Sequence, residues 1–213
     1  MNLILIGPQG SGKGTQAELL NEKLNIPIIS VGRLLRKQIR KKTDLGKKIE
    51  KYVTKGDLVP NKITNQVVKH ELGKLKYKKG VIFDGYPRDL GQTKFLEKLI
   101  KIDYVILIKI SKAETIKRLS GRRVCPSCGE NYHILYKKPK KSIICDECGK
   151  ELIRRKDDHP EAIKERLKIY NQETKPIIDY FAKQGKVIKI DGEQKIKQVF
   201  NSIIKELEKK GLL

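Results

Sequence analysis

The apolar positions of this chain come in short runs, each followed by a polar segment with helical periodicity. Five runs read as buried strands: 2–6, 26–29, 81–84, 103–110 and 186–191. They are continuous rather than alternating, the pattern of strands covered on both faces. Between them the three-and-four spacing predicts helices over 15–24, 31–41, 45–54, 61–76, 89–100, 112–120, 160–184 and 194–210. Ala17, Leu20 and Leu24 share one face of the first helix, and Ile196, Val199, Ile203 and Leu207 form a stripe on the last. Ser111 with Glu114, and Asp158 with Glu161, have the spacing of capping boxes, and Pro160 fits the first turn after the second. Pro176 should end or kink its helix near Lys175. Strands alternating with helices give an α/β fold with a parallel sheet.

The first strand runs into Gly7-Pro8-Gln9-Gly10-Ser11-Gly12-Lys13-Gly14-Thr15 and then a helix. That order is the context of a phosphate-binding loop. Glycines let backbone N–H groups converge on oxyanions, the helix N-terminus adds its positive end, and Lys13 adds a point charge. The strict pattern places Ser or Thr directly after the lysine, whereas here Gly14 intervenes before Thr15. A second strand, Val81-Ile82-Phe83-Asp84, ends in a carboxylate, as does a strand that presents an aspartate to Mg²⁺.

Composition narrows the partners. The 213 residues suffice for one main domain with small insertions, and the net charge of +23 favours polyanions. Of 48 basic residues only 10 are arginine, clustered at 33–40, 88, 118–123, 154–155 and 166. Most lysines read as solvated surface. The lysine runs Lys76–Lys79 and Lys137–Lys141 read as exposed loops or turns. The chain has no run long enough to span a membrane and no signal-like leader, so a cytoplasmic location is expected.

All four cysteines fall in one segment: Cys125-Pro-Ser-Cys128, sixteen residues, then Cys145-Asp-Glu-Cys148, each pair followed by glycine. This is the spacing of a closed, structural Cys₄ zinc site, preferred over a disulfide pair or a redox dithiol. The segment is too short for an apolar core, so metal ligation would supply its folding free energy. His133 reads as a surface residue rather than a ligand.

Together, Gly7–Gln16, Ser30–Arg36, Lys55–Val59, Phe83–Arg88, Arg118–Cys128, Arg155–Asp158 and Lys164–Leu167 resemble adenylate kinases of the long-lid, zinc-bearing bacterial type. Phe83-Asp84-Gly85-Tyr86-Pro87-Arg88 is similar to the family's Asp-Gly-Phe-Pro-Arg signature, with Tyr for Phe. The resemblance implies a P-loop nucleoside monophosphate kinase fold with a five-stranded parallel sheet. It divides the chain into a core (1–29, 60–120 and 159–213), a helical monophosphate-binding insertion (30–59) and a lid (121–158). It implies the reaction ATP + AMP ⇌ 2 ADP with Mg²⁺. A monomer is expected, although no residue pattern fixes the oligomeric state.

Roles follow by position from the same resemblance. Lys13 with the amides of Gly10, Ser11, Gly12, Gly14 and Thr15 should hold the ATP phosphates, with Thr15 and Asp84 near magnesium. Arg118 should flank the ATP base and phosphates. Arg36 and Arg88 should grip the AMP phosphate, with Ser30, Val31, Val59, Gly85 and Gln92 around the AMP nucleoside. Arg122, Arg155 and Arg166 should surround the transferred group, with Asp157 and Asp158 orienting the arginines.

Three positions depart from the family pattern: Gln9 for proline, Arg33 for aspartate, and Val31 for the usual threonine. The last raises a pyrimidine monophosphate kinase as an alternative. From a different class, a zinc-ribbon nucleic-acid binder would use Tyr132 and Tyr136 to stack bases. That reading leaves the phosphate loop and Asp84 unexplained, so no specific nucleic-acid partner is expected.

Overall fold

The computed structural model describes residues 1–74 and 80–213, which puts the Lys76–Lys79 run and the end of the 61–76 helix outside the described residues. Five strands form one parallel sheet: β1 (Asn2–Ile6), β2 (Ile28–Ser30), β3 (Val81–Asp84), β4 (Tyr104–Lys109) and, late in the chain, Val187–Asp191. A two-stranded antiparallel ribbon, β5 (Arg122–Val124) and β6 (Asn131–His133), lies apart, so the last sheet strand is β7 and the sheet order is β2-β3-β1-β4-β7.

The period of two along each strand sorts side chains into two cores. Ile4, Ile6, Val81, Phe83, Val105 and Leu107 face one side. There they meet helices α2 (Val31–Arg40), α3 (Asp44–Lys55), α4 (Asn61–Lys74), α5 (Leu90–Glu97) and α8 (Lys175–Ala182), through residues such as Leu35, Ile49, Val68, Leu96 and Phe181. Leu3, Leu5, Ile82, Ile106, Ile108, Ile188 and Ile190 face the other side. They pack on Ala17 and Leu20 of α1 (Lys13–Leu24) and on Val199, Ile203 and Leu207 of α9 (Ile196–Lys209). Helices on both faces explain why the strands read as unbroken apolar runs.

Three local expectations meet the structure, and two of them are corrected. Ser111 does cap α6 (Lys112–Ser120) by accepting from the Glu114 amide at 3.1 Å, but the return half of the box is missing. Glu114 is taken by Arg118 at 2.7 Å, and the Ser111 amide donates to Glu193 instead. The next helix, α7 (Pro160–Ile169), has His159 rather than Asp158 at its N-cap, because Asp158 is wholly buried and bound to arginines. The third is refined rather than overturned: the 160–184 pattern is interrupted where Pro176 predicts it. The break takes the form of a π-helical turn at Tyr170–Thr174, after which α8 starts at Lys175 with Pro176 in its first turn.

The sheet positions the site. β1, β2 and β3 end side by side, with Ser30 in register with Asp84 and Leu5 also opposite Asp84, so the loops leaving these strands open onto one crevice. Leu5 is 1 % exposed in the strand with neighbours on both edges. Leu5→Ala should therefore lower unfolding free energy by about 2–5 kcal/mol in a urea titration. A loss under about 1 kcal/mol would contradict its place in the core.

Candidate functional site

The phosphate loop closes on its own lysine. Gly10 and Gly12 take φ of +79° and +90°, values that suit glycine, and α1 begins at Lys13. A Cβ at Gly7 would lie 2.4 Å from the Ile108 carbonyl, so the loop also needs glycine to sit against β4. Lys13 Nζ donates to the carbonyls of Gly7 and Pro8, both at 2.8 Å, and lies 3.3 Å from Ser11 Oγ. Burial pushes its pKa down to about 7; Asp84 opposes the shift, while Arg88, Arg166 and Arg122 add to it.

Around this loop the scarce arginines converge. The main cleft, about 360 Å³, is lined by the loop from Gly10 to Thr15 with Ser30, Asp84 and Gly85, and by Arg36, Arg88, Arg118, Arg122, Arg155 and Arg166. A smaller cavity of about 50 Å³ holds Val31, Val59, Thr64 and Gln92. Arg36, Arg88, Arg166 and Gly85 line both spaces, which therefore meet at a wall of guanidinium groups. Every residue singled out by sequence, apart from the cysteines and Asp158, lines one or both.

Two buried carboxylates hold the arginines in place. Asp158 takes both Nε (2.7 Å) and Nη2 of Arg122 and lies 3.3 Å from Arg166 Nη1. Asp157 binds Arg166 Nη1 at 3.0 Å, and its own backbone oxygen accepts from the same nitrogen at 3.0 Å. Burial opposes ionisation of Asp157, yet Arg166, Arg155 and Arg122 outweigh it and hold the carboxyl well below the usual range. Arg155 donates to Asn131 Oδ1 at 2.6 Å while its buried Nε has no hydrogen-bond partner among the described residues. Burial pushes Arg36 and Arg166 down to about 10, lowers Arg88, and lowers Arg155 strongly, with Arg122 and Arg36 adding to the last. Five guanidiniums and Lys13 thus face Asp84, Asp157 and Asp158, a surplus of positive charge shaped to receive a polyanion.

Some lining residues had no signal in the sequence. Arg118 is braced by Glu114 at 2.7 Å and the Gly192 carbonyl at 2.8 Å, beneath the Tyr136 ring at 5.6 Å. The turn from Gly192 to Ile196 completes that end of the cleft, brought there only by the fold. Glu18 of α1 pairs with Arg33 of α2 at 2.6 Å and with Lys137 beyond the ribbon at 3.6 Å, so Arg33 has an ionic partner despite its departure from the family pattern. Gln9, the other departure, donates to the Arg166 carbonyl at 3.2 Å.

The four cysteines are free of disulfides and their sulfurs lie within 4.8 Å of one another. Cys125 and Cys148 sulfurs are 3.3 Å apart, and those of Cys128 and Cys145 3.5 Å. Tetrahedral zinc with bonds of about 2.3 Å needs sulfur separations of about 3.8 Å, so the cluster fits a metal ion with small adjustments. Each pair turns alike: Gly129 N–H donates to the Cys125 carbonyl and Gly149 N–H to the Cys145 carbonyl, with both glycines at positive φ. Tyr132 is buried with Cys125, Cys145 and Leu152, and its hydroxyl accepts from the Asp146 amide at 2.8 Å, so it cannot stack on a base. His133 is neither a ligand nor a surface residue. It is half-buried; Nδ1 accepts from the Leu135 and Tyr136 amides, leaving Nε2 to donate to the Arg118 carbonyl at 3.1 Å.

A model of the adenylate kinase family matches residues 5–186. Among curated proteins, an adenylate kinase of Methanothrix thermoacetophila is 46 % identical, aligned over 98 % of this chain and 99 % of that protein. Adenylate kinases of Clostridium novyi and Archaeoglobus fulgidus are each 44 % identical over the same shares. With its parallel sheet, its glycine loop on β1 and this end-to-end similarity, the chain belongs to the adenylate kinase family of phosphotransferases.

Proposed function

We propose that the protein transfers the γ-phosphoryl group of ATP to AMP, reversibly, giving two ADP. One observation carries this reading: a large cleft at the phosphate loop and a smaller cavity between α2 and α4 share the wall of Arg36, Arg88 and Arg166. A donor in the first and an acceptor in the second would bring two phosphate chains together at that wall.

The chemistry needs positioning and charge rather than a base, because the acceptor phosphate is already ionised. The histidines agree with this: His133 has both ring nitrogens engaged, and His70 and His159 do not line the cleft. Lys13 exchanges its carbonyl partners for phosphate oxygens, and the loop amides from Gly10 to Thr15 close on the chain. Arg36 and Arg88 hold the acceptor phosphate by paired N–H donors. Arg122, Arg155 and Arg166 bind the equatorial oxygens of the group in flight, where preorganised donors count most. Arg118, backed by Tyr136, lies along the donor nucleoside.

Magnesium arrives with ATP and neutralises charge on its outer phosphates. Asp84 and Thr15 would hold its water shell, and an oxygen-only set at this place suits a hard cation. Residues 30–59 and 121–158 act as the two closing parts that exclude water from the transfer. The Cys125, Cys128, Cys145 and Cys148 cluster would hold Zn²⁺ as four thiolate ligands, a structural rather than catalytic set.

Arg88→Ala should cut turnover by about two orders of magnitude or more with little change in melting temperature, since it removes a donor from the shared wall. Near-normal turnover would contradict the assignment. At the acceptor base, Val31 brings no hydroxyl, which weakens AMP binding by about 0.5–1.5 kcal/mol and relaxes selectivity without reversing it. Initial rates with AMP, CMP, UMP and GMP should rank AMP first; equal or faster CMP phosphorylation would assign the site to pyrimidines instead. Cys125→Ser should lose zinc, read by metal analysis, and lower the melting temperature. Retained zinc with unchanged melting would refute the structural metal site.

A further inference from the structure

In the smaller cavity the glutamine that faces the acceptor base is held by a chain of hydrogen bonds whose polarity can be worked out from one end to the other. Asp89 caps α5, and its Oδ1 accepts from the Gln92 backbone amide at 2.8 Å and from Asn61 Nδ2 at 3.0 Å. A carboxylate only accepts, so Asn61 must present its nitrogen to Asp89 and its oxygen the other way. That oxygen takes Gln92 Nε2 at 2.7 Å. At the far side, Gln92 Oε1 accepts from the Arg88 backbone N–H at 2.8 Å, a group that only donates. Both ends therefore demand the same amide orientation. Turning the carboxamide over would set oxygen against oxygen at Asn61 and N–H against N–H at Arg88, inside a site where Gln92 is 2 % exposed.

What is left of Gln92 after these bonds is one acceptor lone pair on Oε1 beside one N–H on Nε2. The nearest partner for that N–H is the Thr64 hydroxyl at a long 3.4 Å, and Thr64 gives its own proton to the carbonyls of Asn61 or Pro60. An amino-edged base such as adenine offers a donor beside an acceptor and matches this pair. A keto-edged base such as hypoxanthine or guanine offers the reverse and meets like against like. A glutamine free to turn could serve both.

We propose that Asn61, bridging Asp89 to Gln92, is a positioning residue that locks the Gln92 carboxamide and so makes the acceptor site select amino-edged over keto-edged bases. This rests on the assignment of the smaller cavity to the acceptor nucleotide. Asn61 sits at the start of α4 and touches the base only through Gln92, so its effect should fall on selectivity rather than on phosphoryl transfer.

The test compares AMP with IMP, which differ only at that edge, as acceptors for ATP with the full chain and magnesium. The native protein should favour AMP in kcat/KM by at least about a hundredfold. Asn61→Leu should lower that ratio about tenfold, mainly by raising the KM for AMP, with the KM for ATP within about twofold of native. An unchanged ratio, or AMP, IMP and ATP parameters falling together as from a general structural defect, overturns the proposal. So does native protein that uses IMP as well as AMP, an outcome that needs no variant to fold. Absence of ADP from AMP in the native protein would remove the underlying assignment as well, which separates the two failures.

Discussion

Like charge gathered in a poorly solvated crevice is the constraint on which the rest of the structure depends. Six of the arginines named by sequence and a lysine line one cleft. Burial lowers the pKa values of Lys13, Arg36, Arg88, Arg155 and Arg166, with neighbouring cations adding to the shift at Lys13, Arg36, Arg155 and Arg166. Such an arrangement is unfavourable on its own and persists because Asp157 and Asp158 are buried with the arginines. The two aspartates leave the positive charge in surplus. In the proposed reaction a nucleotide pair carrying phosphates would supply the missing negative charge, and the repulsion in the cleft would be turned into binding and transition-state stabilisation.

The fold makes this arrangement possible by separating stability from charge. Two apolar cores, one on each face of the sheet, carry the folding free energy. The charged residues are placed at the strand ends and on connections leaving them. Asp84 ends β3 and Arg88 follows it, the lysine follows β1, and Arg36 lies on the helix after β2. Arg122, Arg155 and Arg166 come from the segment that holds the cysteine cluster and from the helix after it, and Asp158 ties the two sides of that segment together. In the middle of that segment the four cysteines gather close enough to hold a metal ion, around a small buried cluster of Cys125, Tyr132, Cys145 and Leu152.

Much of this was legible in the sequence because it is local. Continuous apolar runs marked the strands, the glycine loop marked one wall of the cleft, and two Cys-x-x-Cys pairs marked the cysteine cluster. What escaped was either nonlocal or a contest between partners. Asp158 has the right spacing for a helix cap, yet it is taken by two guanidiniums, Arg122 from 36 residues away and Arg166 from the following helix. Glu114 is lost to Ser111 for the same reason, being held by Arg118. His133 sits among cysteines but spends its ring on backbone groups. Asn61 and Thr64 carry no motif, and only the packing of α4 against α5 brings them to Gln92.

The central claim is that the cleft passes a phosphoryl group between two nucleotides and keeps water out. The stoichiometry of product tests it most directly, with ATP consumption, ADP and free phosphate followed together in the presence and absence of AMP. The account predicts two ADP for each ATP consumed when AMP is present, and negligible phosphate release at any time. Steady release of inorganic phosphate, independent of AMP, would contradict it and make the cleft a hydrolase.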